Sequence, residues 1–239
     1  MKRLGQRRPE GKTRLVPEQI GFFVAGAHQW HVPRHTRSLL VEAVGGGGGG
    51  GSLVGAGGGG SGAYAQLQLT GKSLAAHKGR PLRFAVGKGG VGGQPVADGA
   101  STQGTAGSPS VIAGIVLSGG GQPGFGAVST GATPPGGAGG LGGQVAIEKQ
   151  YDACRRLLSD GQSGENGLNS NGAIVGGAGG TTPVIAGSGG HRTVNVNQLI
   201  LPSAAFTLAG AGPGGGGAGT ASSGPGGNGA DGAIIITYC

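Results

Sequence analysis

The sequence predicts a mostly irregular and β fold: a bundle or sandwich of polyglycine II helices, closed by a small antiparallel β-sheet and carrying one short helical insertion. Three observations support this fold class. Of the 239 residues, 63 are glycine and 13 are proline, and only 4% are aromatic, so an ordinary side-chain core would be small. Gly-Gly-x triplets recur along the chain, and short apolar segments flank them. Composition alone would instead predict disorder. The order of the glycine-rich and apolar segments along the chain is what favours an ordered fold.

The first 22 residues predict an extended basic arm. Six of the 17 Lys and Arg residues fall within the first 14 positions, and Pro9 and Pro17 disfavour a continuous helix. Such a segment either docks on an acidic partner or stays solvated, and the sequence leaves both alternatives open. The candidate attachment residues are Arg3, Arg7, Arg8, Lys12, Arg14, Phe22 and Phe23.

Four segments predict β-strands, because each is short, rich in apolar or β-branched residues and bounded by turn residues. They are RSLLVEAV at 37–44, AYAQLQLT at 63–70, RPLRFAVG at 80–87 and GAIIITY at 232–238. A sheet built from them would join both ends of the chain and tie down everything between them.

The glycine runs between these strands predict ordered structure and not linkers. The segments 89–94, 136–144 and 176–181 consist of Gly-Gly-x triplets, and a period of three matches the three residues per turn of polyproline II geometry. Ordering a glycine costs about 0.5–1 kcal/mol more than ordering an alanine, and a backbone hydrogen bond returns a net ~0.5–1.5 kcal/mol. We therefore expect a single glycine helix to be unstable. A laterally hydrogen-bonded bundle of such helices that includes 45–62 should stay folded.

Two insertions, at 144–171 and 191–210, break the glycine rhythm. The first predicts a short helix, because five of its residues would share one helical stripe: Ala146, Tyr151, Cys154, Leu157 and Leu158. The second alternates apolar and polar residues and predicts a hairpin or an extended flap.

These insertions are candidate binding loops, since recognition concentrates on loops held by a rigid scaffold. The alternative is a lid that packs over an exposed edge of the bundle. The candidate receptor-binding or partner-binding residues are Tyr151, Arg155, Arg156, Asn166, Asn169, Asn171, His191, Arg192 and Phe206.

No motif predicts catalysis, a cofactor or a metal site. The sequence LTGKSL has Gln66 where a phosphate-binding loop needs glycine. Pro33 interrupts the helix that would bring the histidines between 28 and 35 together around a metal ion. No nucleophile has a base and an orienting group nearby in the sequence, so we expect a protein that is not an enzyme.

Charge and hydropathy limit the partners. From residue 24 onward there are 11 basic and 7 acidic residues without interleaved aromatic platforms, so nucleic-acid binding is not expected. No secretory h-region and no apolar window of membrane-spanning length are present, so we expect cytoplasmic synthesis and no membrane insertion. Cys154 and Cys239 form neither a metal spacing nor a disulfide framework.

From residue 28 onward, the order of the segments resembles the glycine-rich C-terminal domain of phage tail-fibre and adhesin proteins. The matching features are WHVP at 30–33, a strand that enters polyglycine in LLVEAVGGGGGGG, FAVGKGGVGG at 84–93 and a closing GADGAIIITY at 229–238. The turn RHTRS and the two insertions depart from that pattern.

The resemblance implies a polyglycine II sandwich whose loops recognise receptors on bacterial surfaces. It implies a virion protein of the tail fibre or tail tip, assembled in the host cytoplasm. The arm would join it to other tail or fibre proteins, and the loops would bind a protein or glycan receptor. A purely structural virion cap or interface protein and a cell-surface interaction domain are the alternatives. The sequence does not decide between a homotrimer and a monomer, since fibres are often trimeric but the sequence contains no coiled-coil trimeriser.

Overall fold

The computed structural model of the protein describes residues 17–53, 55–96, 102–126, 137–151, 154–170, 173–182, 189–190, 194–196, 199–200, 209–220 and 224–239. In chain order, the strands are β1 Glu18–Phe22, β2 Gly26–His31, β3 Ser38–Val44, β4 Tyr64–Thr70, β5 Pro81–Val86, β6 Ser110–Ile112, β7 Val116–Ser118, β8 Val145–Ile147, β9 Arg155–Ser159, β10 Leu168–Ser170, β11 Ala173–Val175, β12 Val194–Val196, β13 Leu199–Ile200 and β14 Ala233–Tyr238. Within the described chain there is one short α-helix, α1 Gly71–Ala75, and one 3₁₀ turn, Lys149–Tyr151.

Two five-stranded antiparallel sheets pack face to face and form what we call the base. Their strand orders are β1-β14-β3-β4-β9 and β2-β5-β6-β7-β8. Alternating residues of the central strands point inward, as in Leu39, Val41 and Ala43 of β3, and side chains of both sheets form a single buried cluster. The four predicted strands are confirmed as β3, β4, β5 and β14, although β5 belongs to the second sheet.

The glycine run 45–52 continues directly from β3 and forms the centre of the bundle. Its successive N–H groups donate in rotation to carbonyl groups of 57–63, 102–108 and 227–230, with N···O distances of 2.8–3.0 Å. The pattern repeats at every third residue, as a three-residue turn requires. This run is therefore a polyglycine II helix whose partners are other segments of the chain, and every residue in it is buried.

The carbonyl groups of the same run accept hydrogen bonds from three further neighbours. Donors lie in 90–93 and 121–124, and Gly217 donates to Gly48. A Cβ atom at Gly48 would fall on the carbonyl group of Gln122, far inside van der Waals contact. Glycine is required here because neighbouring backbones occupy the space of a side chain.

A second central helix, 56–63, runs antiparallel to the first and leads into β4. It too is buried along its whole length. Hydrogen bonds join it to six neighbours, which are 45–51, 119–125, 137–143, 162–165, 177–180 and 214–220. The predicted packed-glycine bundle is thus the main body of the structure above the base.

Buried serines form hydrogen bonds with backbone carbonyl and amide groups that would otherwise have no partner. The hydroxyl group of Ser61 donates to the carbonyl group of Thr181 at 2.9 Å and accepts from the N–H of Gln162 at 2.8 Å. Ser110, at the junction of bundle and base, accepts from the N–H of Gly87 at 2.9 Å and donates to the carbonyl group of Val44 at 2.5 Å. These hydroxyl groups join segments that are distant in the sequence.

The helical stripe predicted in the insertion 144–171 is wrong. Its residues form β8, the 3₁₀ turn and β9, while the short helix of the fold is α1. The physical reason is that β7 and β4 offer unpaired backbone edges on either side of this segment, and β8 and β9 pair with them. Tertiary hydrogen bonds override the local helical pattern.

Candidate binding surfaces

The two insertions come together in one small sheet at the end of the bundle opposite the base. We call this four-stranded sheet the tip; its strand order is β10-β11-β12-β13. The strands β10 and β11 continue from bundle segments next to Gly55 and Ala56, because Gly167 donates to Gly137, Gly137 donates to Gly55 and Gly177 donates to Ala56. Residues far apart in the sequence therefore share one end of a rigid bundle.

The register of the tip places one asparagine from each insertion on either side of the strand β11. Asn169 pairs with Ile174, and Ile174 pairs in turn with Asn195. Leu168, at the root of the tip, leaves 55% of its surface exposed. Of the predicted binding residues, Asn169 lies in the tip, whereas Asn171, His191, Arg192 and Phe206 lie outside the described residues.

The remaining predicted binding residues lie away from the tip. Tyr151 is only 4% exposed and lies in the base, where its hydroxyl group makes a hydrogen bond of 2.7 Å with Nε2 of His77. Burial also raises the pKa of this tyrosine. Because Tyr151 packs in the core, we remove it from the candidate receptor-facing surface.

Arg155, Arg156 and Asn166 occupy two other places. The two arginines are exposed on β9, the edge strand of the first base sheet. Asn166 is exposed on the side of the bundle, and its Oδ1 atom accepts a hydrogen bond of 2.8 Å from the N–H of Gly139. Its amide group therefore satisfies a neighbouring glycine helix, a role that Asn228 repeats for Gly92.

The end of the predicted arm is part of the folded base. Glu18–Phe22 forms β1, which pairs with β14 along its full length. Phe22 packs against Phe84 with ring centroids 4.7 Å apart, whereas Phe23 is 56% exposed. Arg3, Arg7, Arg8, Lys12 and Arg14 lie outside the described residues.

The chain enters the base at the end farthest from the tip. Glu18 pairs with Tyr238, and Phe22 pairs with Ile234, next to the bundle. Eight residues of a polyglycine II helix span about 25 Å, and the seven residues of β3 add about 23 Å. Glu18, at the start of β1, and the tip are therefore separated by most of the length of the described structure.

An apolar pocket of about 480 Å³ lies at the second base sheet, next to β2, β5 and β6. It is lined by residues of β2 and β5, among them His28 and Phe84, and the rings of these two residues stack with centroids 5.7 Å apart. The Nε2 atom of His28 also lies 2.8 Å from the carbonyl oxygen of Val24. The pocket is shallow, and no nucleophile or pair of carboxylates lines it.

The described side chains do not assemble a metal centre. Across the described ranges, no group of three or more His, Cys, Asp or Glu residues is arranged to hold a metal ion. No helix found there is long and apolar enough to cross a membrane.

The sequence did not reveal the surface at the lower end of the base, where loops from distant parts of the chain meet. The sequence carries only a weak signal for this surface, since the basic residues of these loops are separated by up to 121 positions. Only the strand register brings them together.

Comparison with known proteins supports the fold and places the chain in a family. A family model described as a glycine-rich domain matches residues 23–239. A search of the curated proteins found no match. The match covers the base from β2 onward, the bundle and the tip, and the chain therefore belongs to the family of the glycine-rich domain.

Proposed function

We propose that this chain is a phage tail-fibre or tail-tip protein that is attached to the virion by its base and binds a bacterial surface receptor with its tip. The observation that carries the proposal is the placement of the two ends. The segment that leads from the basic N-terminus enters at the bottom of the base, and both insertions contribute strands to the tip. A molecule that joins a particle to a cell needs these two surfaces on opposite sides.

The bundle between the two ends supports this role because it is rigid along its length. Hydrogen bonds hold each central helix on all sides, and recognition loops depend on such a scaffold for their geometry. The resemblance of the segment order to glycine-rich domains of tail-fibre and adhesin proteins supports the same reading. The receptor would be a protein or a glycan of the bacterial surface, and the protein would be assembled in the host cytoplasm.

The test is adsorption of phage particles that carry substitutions in the tip. Two variants, Asn169→Ala with Asn171→Ala and His191→Ala with Arg192→Ala, remove polar groups from the two insertions. A few residues carry most of the free energy of a binding interface, so we expect at least one variant to lower the adsorption rate constant about tenfold. The control is Gln103→Ala with Gln122→Ala, two exposed residues on the side of the bundle.

Both variants must keep the fold, which amide exchange in 45–62 reports. Adsorption and host range that stay unchanged in both tip variants would contradict receptor binding. The protein would then be a structural cap or interface of the tail.

A further inference from the structure

Three loops meet at the end of the base that is farthest from the tip. The N–H of Gly79 donates to the carbonyl group of Val32 at 2.8 Å, and the N–H of Val32 donates to that of Arg80 at 3.1 Å. His77 joins this pair of loops to the segment 148–151 through its hydrogen bond with Tyr151. The loops form one continuous surface, which we call the basal surface.

Exposed cations dominate the basal surface. Arg34 packs against Gly79, so closely that a Cβ atom on this glycine would touch its side chain. Lys72 and Arg155 line the same pocket of about 340 Å³. Of the described acidic residues, Glu148 belongs to the segment 148–151 of this surface, and Glu18 pairs with Tyr238 at the same end of the base. The exposed cations that define the surface are Arg34, Arg37, Lys72, Lys78, Arg80 and Arg155.

These cations are not neutralised within the described structure. None of the six forms an ion pair with a carboxylate of the described residues, and all six residues are exposed. Burial lowers the pKa of His77, and the charge of Arg80 lowers it further. The surface thus presents a positive potential that a partner can complement.

We propose that the basal surface docks on an acidic surface of a partner protein. The orientation rests on the proposed function, in which the base faces the particle. The first 14 residues of the sequence carry six further cations against one acid, Glu10.

The neighbouring edge strand favours a protein over a nucleic acid as the partner. On β9, Leu157 and Leu158 are 47% and 39% exposed, directly after Arg155 and Arg156. Protein interfaces combine an apolar centre with a charged, solvated rim. A phosphate backbone would use the cations and leave these leucines uncovered.

The first experiment measures retention of the full chain on immobilised poly-L-glutamate in a NaCl gradient. The variant Arg34→Glu with Lys78→Glu is compared with Arg83→Glu with Lys88→Glu, which has the same net charge and alters exposed residues outside the basal surface. We expect the basal variant to elute at a lower NaCl concentration than the control variant. Equal elution of the two variants, or earlier elution of the control, would overturn the proposal.

The second experiment measures co-sedimentation of the same proteins with phage particles assembled without this chain. Loss of close charge pairs weakens an interface strongly, so we expect about tenfold weaker binding of the basal variant and unchanged binding of the control. Displacement of the bound wild-type chain by nuclease treatment of the particles would identify a nucleic acid as the partner and overturn the proposal. If the wild-type chain failed to sediment while the poly-L-glutamate result held, the virion role would be wrong and the acidic docking surface would stand.

Discussion

At the scale of single residues, glycine acts in this protein as a packing residue. The buried glycines of 45–51 bring their Cα atoms against the carbonyl groups of neighbouring segments of the same chain. Conformational freedom is not the reason, because none of the glycines from 45 to 51 has a positive φ. The missing side chain is what permits the close approach.

The first prediction concerns one added methyl group in the bundle. Gly48→Ala should lower the free energy of unfolding by about 1–3 kcal/mol, since overpacking forces neighbouring backbones apart. The control, Ala138→Leu, adds three carbon atoms at an exposed position on the side of the bundle and should change stability by less than about 0.5 kcal/mol. Urea unfolding measures both, and equal effects would contradict a backbone-packed core.

The lowered pKa of His77 predicts how the stability of the fold depends on pH. Burial and the charge of Arg80 lower its pKa from the usual 6.5, so the folded protein binds fewer protons than the unfolded chain in this range. This contribution to stability is complete above the unfolded pKa and is lost as pH falls through 6.5 toward the lower folded pKa.

The variant His77→Gln should therefore flatten the loss of stability between pH 7.5 and pH 5 in thermal unfolding. The control is His35→Gln, which changes an exposed histidine of the same surface and should keep the wild-type slope. An identical slope in the His77 variant would exclude this residue as the cause.

At the scale of elements, each of the two central glycine helices is continuous with a strand of the base. Val44 ends β3 and Gly45 opens the first central helix, while Ala63 ends the second and Tyr64 opens β4. The sandwich therefore fixes the position of one end of each central helix. A substitution that destabilises a strand of the base should therefore also destabilise the bundle.

The neighbouring residues Phe22 and Phe23 test the role of β1. Phe22→Ala removes a ring that packs on Phe84 and should cost about 1–3 kcal/mol of folding free energy. Phe23→Ala changes a ring that is 56% exposed and should cost less than about 0.5 kcal/mol. Thermal or urea unfolding would separate them, and equal losses would mean that β1 does not belong to the folded base.

The elements also show what could be predicted from the sequence. The strands β3, β4, β5 and β14 were predictable because apolar alternation is a local signal, and the bundle was predictable from its period of three. The strand β9 was not, because its pairing with β4 is a contact over about 90 positions of the chain. For the same reason, the burial of Tyr151 against His77 and the basal surface could not be foreseen.

At the scale of the whole molecule, the bundle should unfold as one unit. The N–H groups of 45–52 and 56–63 are donated to many different segments, so none can open without breaking the bundle. We expect their amide exchange to be as slow as global unfolding. Leu141, 67% exposed on the side of the bundle, should exchange faster, and fast exchange throughout 45–62 would contradict the fold.

The continuity of strands and glycine helices also has a mechanical consequence. If the tip is pulled away from the base, tension runs along the axes of the two central helices and loads their lateral hydrogen bonds in shear. Those bonds reach several neighbours at every level of the bundle, so they share the force at the same time and do not yield one after another. We therefore expect the molecule to resist extension along its length far better than peeling of an outer helix from its side.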